Sequence, residues 1–196
     1  VGCISAVCYG EAFGFLGFYI VRPEYRGHGH GLAIWNAAMA RFGGRVVGLD
    51  GVVAQQDNYR KSGFTLEHRN VRYGAAKPVP PRPAPGFTVA SIMSFADIAA
   101  YDRAVFPTSR DAFLRAWITL PGHVALELRQ GAALVGYGVL RPCREGSKIG
   151  PLFADSPDGA RTLFAALLAQ APAGPVFLDL PEPNADAVAM ARDAGM

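Results

Sequence analysis

The sequence predicts a mixed α/β fold, α+β in character: two modules, each a mixed β-sheet flanked by helices, joined by a proline-rich linker. Three observations carry this. Short apolar runs of strand length alternate with stretches of helical spacing along the whole chain. The run from Gly74 to Gly86 carries Pro78, Pro80, Pro81, Pro83 and Pro85, which suits an extended, semi-rigid segment better than a helix or a central strand. The end of the chain also echoes its beginning: "VVGLDG" followed by "NYRKSGF" is answered by "VFLDLP" followed by "NADAVAMARDAGM".

In chain order, the first module (1–74) opens with a strand at Gly2–Tyr9, a turn near Glu11 and a second strand at Phe15–Val21. A glycine loop leads into a helix at Leu32–Phe42. There Leu32, Trp35, Met39 and Phe42 recur at helical spacing and define one buried face, and Gly43–Gly44 stops it. A strand at Arg45–Val53, a short helix at Gln56–Ser62 and a closing strand at Phe64–Tyr73 give the order ββαβαβ.

The linker is placed at 75–86 and the second module at 87–196. Its strands are expected at Phe87–Ile92, His123–Leu128, Ala133–Leu140, Lys148–Phe153 and Val176–Leu180. Helices are expected at Ser94–Val105, Arg110–Thr119, Pro157–Gln170 and Asn184–Ala194. The repeated ending suggests two copies of one fold cut differently, the first without its opening elements and the second without its closing strand.

Composition narrows the function classes. Hydrophobic residues make up 51% of the 196, ample for a packed core. The apolar runs fall short of the roughly 20 residues that a membrane helix needs, and no charged-then-apolar leader is seen, so no membrane partner and a cytoplasmic location are expected. A net charge of +3, with arginines scattered among acids, gives no case for nucleic acid. Cys3, Cys8 and Cys143 are odd in number and lack CxxC spacing, so buried thiols are expected and neither a disulfide framework nor a zinc site.

The loop "RGHGHG", Arg26–Gly31, sits between a strand and a helix N-terminus. Gly27, Gly29 and Gly31 let backbone approach a ligand without Cβ interference. The unpaired N–H groups of the first helical turn and its positive dipole end attract phosphate, so a pyrophosphate is the natural guest. A Walker loop would need a GK[ST] ending, and a dinucleotide fingerprint G-x-G-x-x-G; the loop has neither. His28 and His30 have no third ligand at metal-binding spacing, so no metal is assigned. A solvent-exposed turn is the plain alternative.

"VRPEYRGHGHG", Val21–Gly31, resembles the V-x-P-x-x-R-G-x-G-x-G/A signature of the GCN5-related N-acetyltransferases, with Arg26, Gly29 and Gly31 on its R-x-x-G-x-G/A core. "NYRKSGF", Asn58–Phe64, is similar to that family's Y-x-x-x-G-F segment. The resemblance covers residues 1–74. It implies acetyl-CoA as co-substrate, without a metal, held by Arg26, Gly27, His28, Gly29, His30 and Gly31 at the pyrophosphate. Tyr19, Ile20 and Val21 would pair with the amide arm like an added strand, with Asn58 and Tyr59 beside them. It implies Tyr59 as the general acid that protonates the leaving thiolate, since a phenol of pKa near 10 is protonated at neutral pH.

The acceptor implied is an amine of a small molecule or peptide, attacking directly in a ternary complex. Its base is open. Phe15–Val21 holds no carboxylate, Glu11 and Glu24 flank that strand, and Asp50 lies on the next. A water relay or an amine of low pKa would also serve. Phe13, Phe15, Phe18 and Tyr19 hint at an apolar or aromatic acceptor, though they suit a simple core as well. The competing reading is a CoA-binding regulatory or scaffold protein that has lost turnover.

The second copy serves as an internal control. Where the first has "RGHGHG" it has "DSPDGA", with Ser156 and Pro157 suited to capping their own helix and Asp158 opposed to phosphate. Ala191 stands where Tyr59 would align. This half resembles the degenerate C-terminal domain of tandem acetyltransferases and is expected to shape the acceptor pocket or a homodimer instead of reacting.

Overall fold

A computed structural model describes residues 1–196, which divide into two compact units: 1–66 with 106–109, and 67–105 with 110–196. In the first unit, β1 (Gly2–Tyr9) and β2 (Phe13–Val21) form an antiparallel hairpin. The chain then crosses through α1 (His30–Phe42) to β3 (Val46–Leu49), which pairs parallel to β2. A single 3₁₀ turn and α2 (Gln56–Lys61) follow.

Of the face read from the helical spacing, Trp35 and Phe42 are buried and Met39 packs beside them, whereas Leu32, expected to be buried, is 63% exposed because it lies in the first turn of α1 at the cleft. Trp35, Ala38 and Phe42 are buried against Leu16, with Ile4, Ala6, Val47 and Leu49 around them. Gly14 makes room for this: a Cβ there would lie 2.4 Å from the Phe42 ring. Gly43 ends the helix at φ 58°, and Arg45 Nη1 donates to the Phe42 carbonyl at 2.9 Å.

The second unit contains a six-stranded sheet in the order β4-β9-β8-β7-β6-β5. Its strands are β4 (Asn70–Ala75), β5 (Thr88–Ser91), β6 (Val124–Gln130), β7 (Ala133–Pro142), β8 (Ser147–Ala154) and β9 (Val176–Pro181). β5 to β8 pair antiparallel, and α5 (Pro157–Ala169) carries the chain to β9, parallel to β8. Leu163, Phe164 and Leu167 of α5 pack with Leu128, Ile149 and Leu178 in the main core, joined by Met190 and Ala191 of α6 (Ala185–Asp193). A second cluster joins Ile98 and Ala99 of α3 (Phe95–Val105) to Leu114 of α4 (Asp111–Thr119) and Tyr137. Beside it, the buried Asp102 carboxylate accepts two hydrogen bonds from Arg110, at 2.9 and 2.8 Å, and one from the Tyr137 hydroxyl, so its buried charge is fully partnered.

Four further expectations are corrected. The strand expected at Phe64–Tyr73 does not close the first module: residues 70–75 pair antiparallel with β9 and form an edge of the second sheet. Tyr73 packs into the second unit's core, and Arg72 donates to both carboxylate oxygens of Asp179, at 2.8 and 3.0 Å. The opening stretch of the first unit therefore stops at Leu66, and the sheet expected to lack a closing strand has one in β4.

The proline-rich run is likewise not a linker between units. It belongs to the second, where the Val79 N–H donates to the Ala194 carbonyl and the Ala84 N–H to Thr162 Oγ1, both at 2.9 Å. The cysteines, expected to be buried, are free thiols with Cys3 exposed and Cys8 and Cys143 half-buried. The strand expected over Arg45–Val53 is shorter, because Val53–Gln55 turns into a 3₁₀ helix.

Candidate functional site

The cleft of the first unit begins where β2 stops pairing on both sides. β3 accompanies β2 only from Phe13 to Leu16. Beyond that point the edge of β2 toward β3 is free of ladder partners, while its other edge continues along β1. At the same place the register to β1 slips: Ser5 faces Gly17 and Cys3 faces Ile20, so β2 carries one extra residue.

Phe18 absorbs the bulge at φ 50°, with its side chain 77% exposed. A bulky residue in the left-handed region costs on the order of 1–2 kcal/mol. Such strain, in a strand that borders a cleft, points to use instead of packing. Nothing in the sequence signals it, since an aromatic residue is an ordinary strand former.

The next wall is the glycine loop. After a 3₁₀ turn at Pro23–Tyr25, Arg26 folds back and its Nε donates to the Val21 carbonyl at 2.9 Å, while its carbonyl meets His28 Nδ1 at 2.9 Å. Gly27 and Gly29 have φ of 80° and 81°, and a Cβ on either would meet nothing within 4 Å. Gly29 stands at the N-cap of α1 with no side-chain cap, which leaves the first-turn amides directed at the loop. These features fit an anion: open space, bare backbone and a helix head without its own carboxylate or hydroxyl. Gly31 has a different reason. A Cβ there would lie 2.8 Å from the Tyr19 hydroxyl oxygen, so that glycine serves helix-to-strand packing and not ligand approach.

Tyr59, on α2, closes the third side. Its ring stacks on Trp35, with centroids 5.9 Å apart and planes at 25°, and lies over Gly51, where a Cβ would sit 2.4 Å from the ring edge. Burial raises its phenol above the ordinary 10.0, the nearby Tyr19 adds to the rise, and the Val52 backbone N–H draws it partly back. The hydroxyl is thus a proton donor throughout the neutral range.

Together these walls enclose a cleft of about 630 Å³. It brings together Tyr19, Ile20, Val21, Arg26, Gly27, Gly29, Gly31 and Tyr59 of the residues expected to bind or react. His28, His30 and Asn58 lie outside its lining; the Asn58 amide donates to Gln55 Oε1 at 2.7 Å. The lining also holds Leu16, Leu49, Val52, Gln55 and Asp50. Asp50 is the one of the three carboxylates considered as a base that borders the cleft; Glu24 instead pairs with Arg22 at 2.6 Å. No group of three His, Cys, Asp or Glu side chains is placed to hold a metal ion. No helix is long and apolar enough to cross a membrane.

The head of α5, which follows β8 in the second unit, is built differently. Ser156 Oγ accepts from the Gly159 N–H at 3.1 Å and caps α5, Asp158 occupies its first turn, and Ala191 is fully buried in the core.

Fold and cleft define a class first: a mixed α/β protein with a glycine loop at an uncapped helix head beside a splayed, bulged strand. The model of the acetyltransferase (GNAT) domain matches residues 98–196, half of the chain, and the chain belongs to this family. That match falls on the second half, outside the loop and tyrosine motifs of 1–74. The chain is 29% identical over 182 residues to holothin acyltransferase of Pseudoalteromonas sp. (strain SANK 73390), covering 92% of this chain and 62% of that protein. It is 26% identical over 184 residues to the uncharacterized N-acetyltransferase YitH of Bacillus subtilis (strain 168), covering 92% and 64%. The chain thus spans less than two thirds of these relatives' length.

Among solved structures, a putative acetyltransferase from Pyrococcus horikoshii superposes with a TM-score of 0.79 at 22% identity, over 98% of this chain and 64% of that one. A tandem GNAT protein from the clavulanic acid biosynthesis pathway gives 0.60 at 16%, over 95% and 72%. At these identities the likeness speaks for the fold.

Proposed function

We propose that this chain moves an acetyl group from acetyl-CoA to an amine of a small molecule or peptide, by direct attack within a ternary complex. The observation that carries the reading is the convergence, in one cleft, of the uncapped head of α1, the free edge of β2 and the Tyr59 hydroxyl. The amides after Gly29 and the Arg26 backbone would hold the pyrophosphate. The free groups of Gly17–Val21 would pair with the amide arm as an added strand, fixing the thioester near the bulge, where positioning supplies much of the rate. Tyr59 would donate its proton to the departing thiolate.

Asp50, at the cleft border, is the carboxylate best placed to attract a cationic amine. The similarity to an enzyme named for an acyl transfer supports an acyltransferase, and an acetyl-CoA supply suits the cytoplasm. We read the second unit as a non-catalytic copy of the same fold, because Ser156, Asp158 and Ala191 replace the cradle and the acid. A thiol-release assay with acetyl-CoA against a broad amine panel tests the reading. Thiol release above the protein-free rate supports it, and CoA binding without release for any amine moves the chain to the scaffold class.

A further inference from the structure

Trp35 stands apart among the core residues of the first unit, because two of its three ring neighbours, Tyr19 and Tyr59, line the cleft. It is 7% exposed, one and a half turns into α1, the same helix whose head forms the cradle. Tyr59 stacks on it at 5.9 Å and 25°, Tyr19 tilts against it at 5.3 Å and 54°, and Phe64 meets it edge-on at 5.9 Å and 67°. The Tyr59 ring also lies against Gly51, whose missing Cβ would intrude to 2.4 Å. A buried helix side chain and a side-chain-free backbone position therefore both adjoin the ring.

Resting on the proposed acid role of Tyr59, we propose that Trp35 and Gly51 form a clamp that fixes the Tyr59 hydroxyl relative to the anion cradle, with Trp35 as a positioning residue. The physical logic is that α1 carries both parts. Its first turn faces the coenzyme phosphates and its second turn carries the indole, so one rigid rod sets the distance from cradle to phenol. α2, by contrast, has only six residues and no buried side chain of its own. A helix that short is marginal alone, so the orientation of its tyrosine must come from what the ring packs on. Offset stacking of two rings supplies that without a hydrogen bond.

The test uses the full chain with tyrosine labelled at Cζ, the Tyr59 signal being assigned through Tyr59→Phe. Titration by NMR reads the phenol directly, and CoA titration reads the cradle. Trp35→Leu and Gly51→Ala should each bring the Tyr59 titration back toward an ordinary phenol of about 10. Trp35→Phe, which keeps a ring, should hold it near the parent value, and CoA affinity should stay within about threefold because the cradle is backbone. An unchanged Tyr59 titration in folded Gly51→Ala and Trp35→Leu would overturn the clamp; Gly51→Ala alone decides if Trp35→Leu fails to fold.

Thiol release from acetyl-CoA, with water as acceptor, separates the clamp from the acid role. Full rate in Tyr59→Phe removes the acid role and leaves the clamp to the NMR result. A rate lowered by Trp35→Leu in the parent but not in the Tyr59→Phe background supports both. An equal loss in both backgrounds overturns the claim that Trp35 acts through Tyr59.

Discussion

A methyl group added to Gly31 would lie 2.8 Å from the hydroxyl oxygen of Tyr19, whereas one added to Gly29, two residues earlier, would meet nothing. Three glycines that look equivalent in the sequence are therefore required for different reasons. Gly29 is held at φ 81° and faces open space; Gly31 is helical and faces a side chain.

Gly29→Ala should consequently lose about 1–2 kcal/mol from the left-handed backbone and weaken CoA binding by crowding the cradle. Gly31→Ala gains up to about 1 kcal/mol of helix preference, which offsets most of the cost of moving Tyr19. Its net stability change should stay within about 1 kcal/mol. Thermal denaturation with and without CoA checks both. Equal behaviour of the two variants would mean that the distinction drawn from their surroundings is wrong.

Tyr59→Phe keeps the ring that stacks on Trp35 and removes only the proton. Turnover should fall by about a hundredfold or more, the usual range of a general acid, with CoA affinity nearly unchanged. Because burial lifts the parent phenol above 10.0, deprotonation of Tyr59 should produce no fall in rate anywhere between neutral pH and about 9. Steady-state kinetics across that range tests the pair of expectations. A full-rate variant returns Tyr59 to packing, and an altered affinity alone assigns it to ground-state binding.

How far the sequence reaches can be judged from particular residues. The helix carrying Trp35, Met39 and Phe42 is legible because its spacing matches the helical period: it starts two residues before the expected Leu32 and ends, as expected, at Phe42. The loop and Tyr59 stand out in the sequence because their motifs are local, and Arg26, Gly27, Gly29, Gly31 and Tyr59 line one cleft. The partner of residues 70–75 is not. Alternation of half-buried Val71, Tyr73 and Ala75 with exposed neighbours says strand, but a period of two is the same in either sheet.

The proline-rich run misleads for a related reason. Prolines remove donors, yet the donors it keeps at Val79 and Ala84 are the two that strap it to the second unit. Phe18 is the least legible residue, because its left-handed backbone opposes the preference of its side chain. Asp50 was visible as a carboxylate on the next strand, but only the splay of β2 from β3 brings it to the cleft.

The clasp between β4 and β9 should be acid-labile. Arg72, and after it Lys148, hold the Asp179 carboxyl below its ordinary 3.8. A lowered folded-state value means that the stabilisation is present above the unfolded pKa and is lost as pH falls through the folded one. Asp179→Asn should therefore melt below the parent near neutral pH, by about 1 kcal/mol or less for a partly exposed pair. The two melting curves should converge as pH drops below about 3.8. Thermal midpoints measured between pH 7 and pH 2 test this; a gap that persists to the lowest pH assigns the loss to packing instead of charge.

The last prediction concerns stoichiometry: one CoA should bind per chain, in the first unit. Two helix heads, those of α1 and α5, each follow a strand but differ in what occupies their first turn. At α1 the N-cap is Gly29, left-handed and without a side-chain cap, and no acid lies in the first turn. At α5 the Ser156 hydroxyl already accepts the Gly159 N–H, Pro157 has no N–H to offer, and Asp158 adds a negative charge where a phosphate would sit. The difference lies in side chains that can be exchanged. Asp158→Asn with Ser156→Gly should remove the like charge and the occupied amide while leaving the first unit untouched. Titration calorimetry of the parent should give one site, and the double variant should still give one, because Pro157 remains and the cradle glycines are absent. Two equivalent sites in the parent would show that the second unit retains a cradle of its own.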